Sequence, residues 1–362
     1  MDMLHIAKQF KTDDEIIEIK PLGIGNINDS FRVKGAKGNY VLQKLNTHVF
    51  RDPEGVMENI RLITEHIAAK VDEEGGNKER STLEFLQTKA EGTLLYRDSA
   101  GNVWRMYRFV EGVITIQNVK SAEEAYKAAF AFGKFQAHLA DFDAEKLTET
   151  IPNFHHTGKR WEAFLEAVRR DRAGRADEVR DLIAYAEKES YLANSLVDAV
   201  RAGILPVRVA HNDTKINNIL FDKDTGVGIC VIDLDTVMPE TALCDFGDMV
   251  RSGANATDEE DTNLENVYLD MEYYEAFLRG FLEGTAGRLK DEEMERLALS
   301  AKVITFELAI RFLGDYLDGD VYFSIRKPKQ NLERAANQFK LLADMEEKYA
   351  EMEAAYKRLK QE

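Results

Sequence analysis

The chain has 362 residues, 44% of them hydrophobic and 31% charged, enough for one large core or two packed lobes. A formal net charge of −17 speaks against a nucleic-acid partner and against an anionic membrane surface, since both need a basic field, but it leaves room for a phosphate-bearing ligand held by a few local cations. Two cysteines, Cys230 and Cys244, each in apolar surroundings, exclude a disulfide scaffold and suit buried free thiols in a reducing compartment. The opening "MDMLHIAKQFKTDDEI" lacks an apolar core of signal-peptide length, and no run approaches the roughly 20 apolar residues of a membrane span, so a soluble, cytoplasmic protein is expected.

The first third reads as strands around one helix. "EIIEIKPL", "SFRVKG" and "NYVLQKL" are short β-rich runs separated by turn residues. In "RDPEGVMENIRLITEHIAAK", Asp52 suits an N-cap and Pro53 the first helical position, and Val56, Ile60, Ile63 and Ile67 form one apolar stripe. "LEFLQT", "TLLYRD" and "VWRMYRFV" return to strand character. After Gly112 the pattern turns helical. Ser121 and Glu124 stand at capping-box spacing, with Ala125, Ala129, Phe132, Phe135 and Leu139 as the buried face of the helix they open. More helix is expected over 158–202 and from about 267 onward, interrupted by a β segment at 207–237. The last helix carries Leu332, Ala335, Phe339, Leu342, Met345, Tyr349, Met352, Tyr356 and Leu359 at three- and four-residue steps. Packing on its own lobe, hence a monomer, is expected over a coiled-coil dimer seam. With six prolines and no Gly/Ser linker, the lobes are joined tightly. The class is α+β: a small, mostly antiparallel β lobe with one helix over 1–110, and a large, mostly helical lobe over 111–362, with a cleft between them as the natural ligand site.

The densest polar stretch, "HNDTKINN" (211–218), lies between apolar runs, where polar side chains are costly unless they have partners or a task. "DKDTGVG" then forms a turn, and "ICVIDLD" a strand ending in Asp233 and Asp235. The hairpin brings Asn218 and Asp233 to the same end, with Asp213 just beyond. An amide oxygen and a carboxylate suit Mg²⁺ shared with substrate phosphates. A second carboxylate, Asp213, can take a proton from an attacking hydroxyl, and Lys215 can neutralise a transferring phosphoryl group. His-x-Asp, with Lys at the second and Asn at the fifth place after Asp, is the layout of a kinase catalytic loop. A calcium loop starting at Asp222 is rejected, because its sixth place is Val227 where glycine is required. Zinc at "FHH" (154–156) is also rejected: adjacent histidines would diverge, and no Cys or His follows at ligand spacing.

Upstream, Gly23 and Gly25 in "PLGIGNINDSF" would let backbone amides approach phosphates. Lys44 is a candidate phosphate clamp, with Glu58 on the next helix as its partner. Alternation allows only one of Gln43 and Lys44 to face the cleft, and leaves open which. The backbone of "YRFVEG", from Phe109 to Glu111, is placed to hydrogen-bond an adenine.

These stretches together resemble the aminoglycoside phosphotransferase / choline kinase superfamily, with its protein-kinase-like two-lobed fold. The likeness runs over nearly the whole chain, through "YVLQKLNTHVF", "WRMYRFVEG", "HNDTKINNIL", "IDLDTVMPETALCDFGDMVR" and "RFLGDYLDGDVYF". Within it, the long strings look most like the branch that phosphorylates N-acetylhexosamines at the anomeric hydroxyl. The resemblance implies ATP and Mg²⁺ as cofactors, Asp213 as the base, Asn218 and Asp233 as metal ligands and Asp235 as an assisting acid. It implies Asp245 as a brace of the catalytic loop, and Thr236, Arg311 and Tyr322 as residues facing the sugar. One departure is that many members of the superfamily carry Lys or Arg where Gln43 stands. The same catalytic residues would serve a kinase of another small alcohol such as choline, homoserine or an aminoglycoside, while a non-catalytic binding module is disfavoured by the presence of Asp213, Asn218 and Asp233.

Overall fold

The computed structural model describes residues 2–12, 14–23 and 27–361. In chain order the elements are α1 (Met3–Ala7), β1 (Ile16–Pro21), β2 (Asp29–Gly35), β3 (Asn39–Leu45), α2 (Pro53–Glu73), α3 (Lys78–Ser81), β4 (Tyr96–Arg97), β5 (Val103–Arg108), β6 (Val113–Ile114), α4 (Ala122–His138), α5 (Thr157–Arg170), α6 (Arg180–Lys188) and α7 (Ser195–Arg201). There follow β7 (Arg208–Ala210), β8 (Ile219–Asp222), β9 (Gly228–Val231), β10 (Met238–Glu240), α8 (Ala242–Gly253), α9 (Met271–Gly284), α10 (Asp291–Met294), α11 (Leu297–Asp318), α12 (Gln330–Glu347) and α13 (Tyr349–Leu359). Two units emerge. The first comprises 1–114, 141–152 and 220–239; the second comprises 115–140, 153–219 and 240–362. None of the described helices is long and apolar enough to cross a membrane.

The first unit is built on an antiparallel sheet in the order β1-β2-β3-β5-β4. One face of it is dry: Val33, Tyr40, Leu42, Trp104 and Met106 pack with Ile6, Ala7, Phe10 and Leu86. Strand alternation puts Leu42 and Trp104 on this face and leaves Gln43 and Arg105 on the other. Helix α2 starts where the caps place it, with Asp52 accepting from the Gly55 amide and Pro53 in the first turn. Its stripe of Val56, Ile60, Ile63 and Ile67 is buried as the spacing predicts. Three features differ from expectation. The short helices α1 and α3 are additional. "LEFLQT" makes only isolated bridges, Phe85 to Tyr107 and Thr88 to Phe10, because its backbone bonds go alternately to β5 and to the chain after α1.

In the second unit α11 is the central rod, buried along nearly its whole length and packed against α5, α8 and α12. Helix α4 opens on the Ser121 cap, with only half of the expected capping box: the Glu124 amide donates to Ser121 Oγ, but the Glu124 carboxylate accepts from the Lys120 amide, one residue before the cap. It pairs closely with α9. The expected last helix is two, broken at Lys348, and its seam of Ala335, Phe339, Leu342, Met345 and Met352 is buried within the chain.

Candidate active site

The strand β7 ends at Ala210, and the chain then leaves regular structure through a left-handed turn at Asn212, φ +66°. Such a conformation is uncommon for a residue with a Cβ and needs outside support. Asp245 in the first turn of α8 supplies it. Its Oδ2 accepts from the His211 amide (3.0 Å) and its Oδ1 from the Asn212 amide (2.8 Å), while Gln136 Nε2 donates to the same carboxylate at 2.6 Å. Asp245 is wholly buried, and that burial pushes its carboxyl above the usual range. One turn along α8, Asp248 accepts from the Thr214 amide at 3.0 Å and pairs with the buried Arg251.

On this braced loop the Asp213 carboxylate has two partners. Lys215 Nζ lies 3.1 Å from Oδ1, and Asn218 Nδ2 donates to Oδ2 at 3.2 Å and to the Asp213 carbonyl at 2.9 Å. The carboxylate beside it raises the pKa of Lys215, which keeps the ammonium charged. With the amide nitrogen of Asn218 committed, its carbonyl oxygen is the hard donor atom that side chain has to offer. The strand that follows Asn218, β8, is hydrogen-bonded to β9, which precedes Asp233. The joining turn is tied by Asp222 Oδ1, which accepts from the amides of Asp224 and Thr225; Gly226 supplies the positive φ, +67°, and the segment is a hairpin turn.

In the first unit, Asp233 adopts a left-handed conformation, φ +60°, at the head of the short helix 234–236. Asp235 and Thr236 within it are buried. Asp235 is engaged by Arg105, whose Nη2 lies 3.0 Å from Oδ2, and by Asn28 Nδ2 at 2.6 Å. Arg105 Nε donates to Gln43 Oε1 at 2.9 Å, and Gln43 Nε2 to Ser30 Oγ. Of the two residues left open by alternation, Gln43 is therefore the one on the face of Asp235. Lys44 is paired in register with Asp29 and Trp104 on the other face. Glu58 does not approach it, being engaged by Arg61 at 2.7 Å on the exposed side of α2. The cation that does face Asp235 is Arg105, to which no local motif draws attention. Asn59 is a second such residue: inside the apolar stripe of α2, it donates to the carbonyls of Thr148 and Val237 and so fixes the chain just past Thr236.

Gly23 has φ +70°, with open space where a Cβ would stand, and Gly25 lies outside the described residues. The Phe109 amide is spent on the Asn39 carbonyl at 3.0 Å, Arg32 stacks over the Phe109 ring, and the Glu111 carboxylate accepts from Asn39 Nδ2. Arg311 on α11 is nearly buried. Its guanidinium lies 3.5 Å from Glu307 and within 6.0 Å of the ring centres of Phe154, Tyr322 and Phe323. Tyr322 is 60% exposed, on a loop whose amides at Val321, Tyr322 and Phe323 all donate to Asp315. Of the two "FHH" histidines, His155 is buried and His156 caps α5. Among the described residues no three His, Cys, Asp or Glu side chains converge as a preformed metal cage. Taken separately, Asn218 in the second unit and Asp233 in the first each carry an oxygen donor of the hard kind that Mg²⁺ takes.

Comparison with known proteins follows the same lines. The model of the phosphotransferase enzyme family matches residues 18–289. The structure is similar to that of the microcompartment-associated aminopropanol kinase, at 13% identity and TM-score 0.56 over 96% of this chain and 98% of that one. It is similar to a spectinomycin phosphotransferase solved with ADP and spectinomycin, at 11% and 0.56 over 95% and 96%. It is also similar to a choline kinase from Cryptosporidium parvum, at 14% and 0.57 over 92% and 90%. At these identities the likeness is one of fold, a kinase-like α+β architecture.

Proposed function

Because the chain belongs to the phosphotransferase enzyme family, we propose that it is a small-molecule kinase transferring the γ-phosphoryl group of ATP to the anomeric hydroxyl of an N-acetylhexosamine, as an N-acetylhexosamine 1-kinase does. The observation that carries the reading is the state of Asp213: one carboxylate, on a loop braced by Asp245, flanked by a charged lysine and an oriented asparagine. Asp213 orients the hydroxyl and takes its proton as the oxygen–phosphorus bond forms and the bond to the ADP oxygen breaks. Lys215 neutralises charge on the phosphoryl group in flight. Asn218 and Asp233 would supply oxygen ligands to Mg²⁺, which when bound neutralises the nucleotide phosphates. Gly23 would let the chain approach the nucleotide phosphates, and the 109–111 backbone, with the Phe109 amide already bonded to Asn39, would offer its remaining groups to the adenine.

The acceptor class is argued from Arg311. A guanidinium among Phe154, Tyr322 and Phe323, with Arg160 held at the Phe154 carbonyl, suits a neutral, acetamido-bearing sugar with carbonyl and hydroxyl acceptors and apolar ring faces. A cationic amino alcohol would meet like charge there. Thr236 completes the substrate residues. The test is a panel of sugars, choline, aminopropanol and aminoglycosides incubated with ATP, with the products read by phosphorus NMR. An anomeric sugar phosphate is the expected product. A phosphate on an amino alcohol, on an aminoglycoside or on a sugar 6-hydroxyl would overturn the acceptor assignment. Asp213→Asn is expected to bind sugar as before and to lose about 10²- to 10⁴-fold in turnover.

A further inference from the structure

Sealed in the second unit, beneath the loop that carries Asp213, is a histidine–carboxylate pair that the proposed chemistry does not use. His155 Nδ1 lies 2.9 Å from Glu307 Oε1, and its Nε2 lies 3.1 Å from the carbonyl oxygen of Asn212. Both partners can only accept a hydrogen bond. A neutral imidazole has a single N–H, so both contacts are satisfied only when the ring carries two protons. Glu307 is fully buried and is answered on its other side by Thr157 Oγ1, which donates at 2.6 Å, and by Arg311 Nη1 at 3.5 Å.

The charged groups facing His155 are Glu307 and Arg311 from α11 and Asp248 from α8. Burial alone would lower the histidine pKa. The Glu307 carboxylate outweighs it, Arg311 opposes and Asp248 assists, and the ring is held above the ordinary histidine value. Glu307, for which burial acts upward, is brought below the usual carboxylate range by the same imidazole and by Arg311.

The second acceptor is the informative one. The Asn212 carbonyl and the Asp213 amide are the two edges of a single peptide group. His155 holds the oxygen, and the Asp213 amide donates to His211 Nδ1 at 3.2 Å. On the near side of the positive-φ residue, the Asn212 amide is held by Asp245. The direction in which Asp213 leaves this peptide is thus set by a charge pair that also touches Arg311. We infer that His155, as an imidazolium paired with Glu307, is a positioning residue that clamps the 212–213 peptide, aims Asp213, and links that peptide to the Arg311 cluster. The inference rests on the reading of Asp213 as the base. Loss of the His155 proton removes one of the two donors, so turnover falls along an alkaline limb above the ordinary histidine range, with little change in acceptor KM.

The test begins with the whole protein labelled with ¹⁵N-histidine. At pH 6.5, the ordinary histidine value, the signals missing from His155→Gln should be mainly those of a doubly protonated ring; a neutral ring would overturn the inference. Once the thermal midpoint shows His155→Gln to be folded, it should exchange its Asp213 amide faster than the parent. It should also lose roughly 10- to 100-fold in kcat, with acceptor KM within about twofold. Glu307→Gln, which keeps the shape but removes the counter-charge, should move the alkaline limb to lower pH. Turnover within about twofold of the parent in both variants, or an unaltered limb in Glu307→Gln, would overturn the assignment. Charge state and amide exchange are read without any acceptor. If the substrate panel yields no product, the proposed function fails, while His155 is still judged: unchanged Asp213 exchange in His155→Gln would sink it.

Discussion

The guanidinium of Arg105 is 3% exposed and meets a carboxylate, Asp235, that is 2% exposed. A pair so placed contributes little net stability when whole, because both ions have lost their water, yet breaking it leaves a bare charge inside the protein. Asp235→Ala should therefore cost about 3–5 kcal/mol in urea unfolding, and Arg105→Met combined with Asp235→Leu should recover much of that loss. A single-variant cost below about 1 kcal/mol would show that water reaches the site. Family resemblance leads one to expect a cation at position 43; the register instead puts Gln43 directly opposite Arg105, so the charge on that face sits one strand over. No local spacing signals this, since Arg105 and Asp235 are 130 residues apart and His155 and Glu307 are 152 apart. Asp213, Lys215 and Asn218 were legible because their relation is local: a two-residue and a five-residue step on one loop suffice to bring them into hydrogen-bond reach.

At the scale of elements, the contact of α4 with α9 turns on three glycines. A Cβ on Gly133 would lie 2.5 Å from the Phe281 carbonyl oxygen and 2.9 Å from Gly284 Cα. On Gly280 or Gly284 it would strike the backbone of Tyr126 or Phe130. Backbone cannot swing aside as a side chain does, so the helices must separate. Gly133→Ala should destabilise by about 1–3 kcal/mol despite the gain in helix propensity that alanine brings elsewhere, read as a lower urea midpoint with unchanged m. A neutral or stabilising result would mean that the helices have room to part. The apolar face and the cap of α4 could be read in advance because both follow from spacing along one helix. The reason for its glycine could not, because that reason lies on another helix. The break at Lys348 was hidden for a related cause: Met345, Tyr349 and Met352 keep three- and four-residue steps straight across it, and a change of axis leaves such steps intact.

For the molecule as a whole, the balance of 65 acidic against 48 basic residues makes acid the natural stress, and the groups that answer it are identifiable. Hydrogen bonds from Asn102 and Trp104 hold Asp98 at about 2. Lys70 and His66 hold Asp141 there, and Thr225 and Arg80 hold Asp222 there. All three belong to the first unit. Each is depressed on folding, so its contribution is fully present above the unfolded value near 4 and is lost as pH falls toward 2. In the second unit His155 works in the opposite sense: a pKa raised on folding gives stability that is complete below the unfolded value of about 6.5 and is lost as pH climbs through the folded value. Cys230, pushed up to about 12 by burial, adds nothing at neutral pH, and the two free buried thiols should resist alkylation until the chain unfolds. Urea midpoints measured across pH should thus stay high around pH 5 to 6 and fall steeply between about 4 and 2. Asp141→Asn should flatten the acid side of that curve without touching the alkaline side. A midpoint level from pH 5 down to 2.5, or an Asp141→Asn curve that follows the parent through that range, would show that these carboxylates keep their partners in the unfolded chain as well.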